Sequence, residues 1–162
     1  MTHVFRAINL GLISALAPSG LERIIFDFYG GNASFRYPQT VKFQFAAGSC
    51  LASIEMESVD GKYDEYGLLC IDECIGDEFS HDREKFEVSF QKYPLISIIS
   101  VNERENDVEI DAGLCVDGKG RDGSFLIASG GWPQSFTIMG SRGLYFGSDL
   151  DCNMKDMRFR SI

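Results

Sequence analysis

The chain has 162 residues, 44% of them hydrophobic and 24% charged, a length and composition that suit one domain over residues 1–162 with a single core. Fifteen basic against twenty-four acidic side chains leave a formal charge of −9, which opposes binding to nucleic acid or to an anionic membrane and favours a basic protein partner. Five cysteines cannot all pair within one chain and are too scattered for a disulfide framework, so reduced thiols and a cytoplasmic setting are expected; no apolar run reaches transmembrane length.

At the start, Thr2 is placed to cap a helix whose apolar residues Phe5, Ile8, Leu12 and Leu16 recur every three to four positions, with Pro18 and Gly20 ending it. A competing reading is an export signal, since Arg6 precedes an apolar run and Ala15-Leu16-Ala17 has a small-x-small form. Asn9 within that run and Pro18 just after it count against cleavage. Residues 21–29 read as a strand, and the adjacent Ile24 and Ile25 suggest burial on both faces.

Val41, Phe43 and Phe45 alternate with Lys42 and Gln44, and Cys50, Ala52, Ile54 and Met56 alternate with Ser53, Glu55 and Glu57. With Ala46-Ala47-Gly48-Ser49 between them, these form a predicted hairpin, and the strand at 21–29 extends it into a meander. Residues 66–71 are a shorter strand. Residues 72–84 show no clear period and read as a loop or a short helix. Phe86, Val88 and Phe90 mark another strand, stopped near Pro94.

Residues 95–139 read as four strands separated by breaks at 102–107, 117–123 and 130–133. In the second of them Val108, Ile110, Ala112, Leu114 and Val116 alternate with Glu109, Asp111, Gly113 and Cys115, the pattern of a strand with one buried face. The tail 156–162 adds an edge strand through Met157, Phe159 and Ser161, with Arg158 and Arg160 facing water. The expected fold is α+β and β-rich: an antiparallel meander sheet of eight to ten strands, as a partly open barrel or a sandwich, with one N-terminal helix packed on it.

Few residues look poised for chemistry. Cys70, Cys74 and His81 lack the second ligand pair of a zinc site, even with Asp72, Asp77 and Asp82 nearby, and Lys119 and Arg121 occupy the alternate positions a calcium loop would need for oxygen. Neither a P-loop nor a dinucleotide fingerprint is present, so no metal and no cofactor are expected. Only His3 and His81 are available to activate a nucleophile. Ser80-His81-Asp82 are adjacent and diverge, which leaves a distant Cys115 or Ser135 as the partner of His81.

The acidic stretch is the most specific feature. Residues 60–84 hold nine acidic against two basic side chains, −7 of the chain's −9. Asp72, Glu73, Asp77, Glu78 and Asp82 would create a field that steers a cationic partner, and Trp132, which otherwise closes one end of a core, would anchor it. A second acidic row, Glu103, Glu105, Asp107, Glu109 and Asp111, either extends that field or keeps an exposed face soluble. The expected function is therefore a non-enzymatic acidic binding protein of the immunity or inhibitor type. The alternatives are a small-ligand or hydrolytic domain near Trp132 and His81, and an assembly subunit that uses a free sheet edge.

Overall fold

A computed structural model describes residues 2–29, 37–60, 64–74, 85–91, 93–118, 123–131, 134–140, 145–147 and 149–162. The chain opens with a strand, β1 (His3–Phe5), and a short helix, α1 (Leu10–Leu16). One antiparallel sheet then takes β2 (Leu21–Tyr29), β3 (Tyr37–Phe45), β4 (Gly48–Ser58), β5 (Glu65–Glu73) and β6 (Lys85–Ser89), in the order β5-β4-β3-β2-β6. The other takes β7 (Leu95–Glu103), β8 (Val108–Asp117), β9 (Ser124–Ser129), β10 (Phe136–Gly140), β11 (Tyr145–Phe146) and β12 (Met157–Ser161), in the order β11-β10-β9-β8-β7-β12. Among the described residues no helix is long and apolar enough to cross a membrane.

Both predicted meanders are present. β7 to β10 lie side by side in chain order, as do β2 to β5, because short connections leave each strand no nearer partner than the next one. The β3–β4 hairpin turns at Ala46 and Ala47, and its β-branched and aromatic residues pair as the alternation requires, with Val41 opposite Ala52 and Phe43 opposite Cys50. The two sheets share one core. Phe26, Phe43, Leu69 and Ile71 of the first sheet pack in one cluster with Ile98, Leu114, Ile127 and Ile138 of the second.

β8 departs from the expected single buried face. Ile99 pairs with Gly113 and Ser100 with Asp111, so Ala112 is an extra residue, a β-bulge, on β8. Since side chains alternate with period two, one inserted residue turns over everything beyond it. Leu114 and Val116 therefore pack in the shared core, whereas Val108, Ile110 and Ala112 pack in a second cluster with Ile99, Val101 and Leu68.

The N-terminal helix is shorter than predicted. Residues 3–5 form a strand instead, pairing in parallel with Val108 to Ile110 of β8, and α1 begins only at Leu10. Asn9 takes a left-handed backbone (φ 58°), a conformation that stops a helix from extending backwards through it. Ile8 bridges to the other sheet, its N–H donating to the Leu69 carbonyl at 3.0 Å and its carbonyl accepting from the Ile71 N–H at 3.0 Å. Residues 3–8 thus run from one sheet to the other before α1 covers the core with the wholly buried Ile13.

Asp111 holds both ends of the chain to the centre of β8. Its carboxylate is fully buried, accepts two hydrogen bonds from the Arg160 guanidinium (3.2 and 2.9 Å) and one from the Ala7 backbone N–H (2.9 Å), and lies 3.5 Å from Arg6. A buried charge persists only when it is paired and hydrogen-bonded in this way. The tail is the predicted edge strand, but its faces differ from expectation. Met157 is buried as expected, but Arg160 turns to Asp111 and Phe159 is 57% exposed.

Candidate functional site

Among the described residues, a cleft of about 650 Å³ is built from three separate stretches of chain. One wall is the start of β5, with Asp64, Glu65 and Tyr66; a second is the β7–β8 turn, with Glu103, Arg104, Glu105 and Asn106; the third is the segment before β12, with Asp151, Cys152, Lys155 and Asp156. Val101, Ile110 and Ala112 supply apolar lining. Among the described residues, six carboxylates against two cations give the cleft lining a formal charge of −4.

Each wall is held locally. Glu103 accepts the backbone N–H groups of Glu105 (2.9 Å) and Asn106 (2.8 Å), an acid closing its own turn, and Asp107 completes the turn with a left-handed backbone. The Asn106 side-chain amide donates to Asp64 (2.9 Å) and to the Tyr66 hydroxyl (2.6 Å), which ties that turn to the start of β5. The third wall is pinned to the end of β9: the Gly131 N–H donates to the Asp149 carbonyl at 2.7 Å and the Asp151 N–H to the Ser129 carbonyl at 3.1 Å. Gly67 leaves room for this approach, since a Cβ there would lie 2.0 Å from the Ser129 Oγ.

The ionisable groups respond to this enclosure. Burial pushes the Asp151 carboxyl above the usual carboxylate range, against a hydrogen bond with Ser129 that pulls it down. Burial likewise raises the Tyr66 phenol and pushes the Cys152 thiol up to about 11. A carboxylate whose charge is poorly solvated is stabilised when a cation approaches it.

The acidic segment divides between the two ends of β5. Asp64 and Glu65 line the cleft, whereas Asp72 and Glu73 are exposed at the far end, roughly 25 Å away along a strand of this length. Asp72 and Glu73 belong to the strand, opposite Leu51 and Cys50, and not to the following loop. Asp77, Glu78, Asp82, His81 and Trp132 lie outside the described residues.

The second acidic row is largely consumed internally. Besides Glu103 and Asp111, Asp107 accepts from the Thr2 hydroxyl at 2.8 Å and Glu109 from Arg6 at 2.6 Å. Asp151, Asp156 and Tyr66 were not singled out from sequence, because the three stretches that form the cleft are far apart in the chain and none carries a motif.

The cysteines behave as small apolar residues. Cys50 and Cys70 are buried and their thiols are pushed up to about 12, and burial also raises Cys115. The thiolate is the reactive species, so native alkylation at pH 8 should be at least about a hundredfold slower at Cys50, Cys70 and Cys152 than at an unperturbed thiol. Peptide mapping by mass spectrometry checks this; labelling of any of the three at the ordinary thiol rate would contradict it. No protein-family model, no curated protein and no solved structure matches the chain.

Proposed function

We propose that the chain is a non-enzymatic, cytoplasmic binding protein of the immunity or inhibitor type, in which a sandwich of two sheets presents an acidic cleft to a cationic segment of a protein partner. The observation that carries the reading is the cleft itself: six carboxylates and two cations around about 650 Å³, with apolar residues in the lining. Lysine and arginine combine a charged head with an aliphatic stem, and a lining of this mixed kind accommodates both parts. The surrounding negative field speeds encounter with such a partner and weakens as salt screens it.

A decalysine peptide serves as the probe. Binding measured by calorimetry should weaken at least tenfold in a Glu65→Gln, Glu105→Gln, Asp151→Asn variant, which spares the carboxylates that close the turn and hold β1. It should also fall steeply as salt rises from about 50 to 300 mM. At mildly acidic pH binding should release protons, because the approaching cation draws the raised Asp151 carboxyl back towards its ordinary value. A parallel Asp72→Asn, Glu73→Gln variant tests the other end of β5. Loss of binding there alone would move the contact surface to that end, and equal binding by all three proteins would remove the proposal.

A further inference from the structure

Residues 2–8 are fastened differently from the rest of the fold. None of residues 2–9 is buried: Thr2, His3, Val4, Arg6 and Ile8 are exposed, and Phe5 and Ala7 are half-buried. What holds them is backbone pairing with β8 and β5, the Ala7 N–H on Asp111, the ion pairs of Arg6 with Glu109 (2.6 Å) and Asp111 (3.5 Å), and the packing of the half-buried Phe5 and Ala7 against the core clusters. Segments secured by hydrogen bonds and half-exposed ion pairs, with little apolar burial, open at far lower free energy than a core strand. The segment joins α1 at Asn9, whose left-handed backbone ends the helix there, so the segment is not a helical continuation of α1.

We propose that residues 2–8 are an exchangeable strap, and that the slot it vacates between β8 and β5 takes the same strap from a second copy of this chain. The slot consists of the Val108–Ile110 edge of β8 and the Leu69–Ile71 edge of β5, two rows of backbone groups that need a strand partner. An identical strap satisfies every one of them, including the Asp111 carboxylate and Glu109, which is what makes exchange of identical elements a low-cost route to dimers. Within one chain the strap's own tether keeps the slot filled at low protein concentration. Raising the concentration, and screening the Arg6 ion pairs with salt, shifts the balance towards exchange.

Charge reversal separates exchange from simple fastening. A full chain carrying Arg6→Glu repels its own slot, and so does one carrying Glu109→Arg; mixed in equal amounts, the strap of each matches the slot of the other. Native mass spectrometry and light scattering should show mixed dimers with a dissociation constant at least tenfold below that of either variant alone, and the Arg6→Glu, Glu109→Arg double variant should return to wild-type behaviour. A mixture that stays monomeric overturns the proposal. Should either single variant fail to fold, wild-type chains of two isotopic masses are incubated together at high concentration and moderate salt. Dimers of intermediate mass support exchange, and their absence overturns it.

Discussion

Replacing Asp111 with alanine is expected to lower the free energy of unfolding by about 3–5 kcal/mol, a large part of what a domain of this size possesses. The carboxylate is wholly buried and receives Arg160 in a two-point contact, the Ala7 N–H and the field of Arg6. Its removal strands a donor at each end of the chain and leaves an empty volume at the bulge of β8. Chemical denaturation of the single variants Asp111→Ala and Arg160→Ala and of the double variant gives the coupling between the two side chains. A value of about 2 kcal/mol is expected, and strict additivity would show that the contact contributes nothing of its own. Hydrogen exchange adds a local readout: β1 and β12 should lose protection in Asp111→Ala well before β3 and β4 do, because the latter have no contact with this carboxylate.

A Gly113→Ala variant should be harsher still, at about 4 kcal/mol or more, with little folded protein recovered. A Cβ at this position would lie 2.2 Å from the Ile127 carbonyl oxygen and 2.6 Å from the Ala128 Cα, both on the backbone of β9. Neither can move aside without breaking the β8–β9 ladder. Gly11→Ala makes the contrast, since a Cβ there meets nothing within 4 Å and alanine favours the helix by up to about 1 kcal/mol. Thermal unfolding of the two proteins side by side checks the pair. A Gly113→Ala protein as stable as wild type would mean that the strands are less closely apposed than the structure shows.

Much of the sheet structure was legible in local pattern. Val41-Lys42-Phe43-Gln44-Phe45 and Cys50 to Glu57 alternate cleanly and pair as a hairpin, because each has one face in the core and neighbours close in the chain. The alternation in β8 misled for the same reason that it looked convincing. A bulge inserts a residue without changing the apolar composition, so Val108 and Leu114 appear to share a face although they pack in different clusters. The apolar spacing of Phe5, Ile8, Leu12 and Leu16 suited a helix, yet tertiary pairing with β8 and β5 drew the first half of that run into extended backbone.

The candidate site was less legible than the fold. A count of charges places nine acids in residues 60–84, but it says nothing of direction, and β5 carries Asp64 and Glu65 to one end and Asp72 and Glu73 to the other. The sequence by itself determined the strand-rich class, the two meanders and the acidic excess, because those depend on residue type, period two and short-range connection. Only the tertiary structure decided that Asp111 is a buried anchor and not part of a surface field, that Arg160 turns inward to meet it, and that residues 64–66, 103–106 and 151–156 converge on one cleft. Those outcomes depend on long-range apposition of segments as much as about a hundred residues apart, and no local periodicity records which distant charge a carboxylate will face.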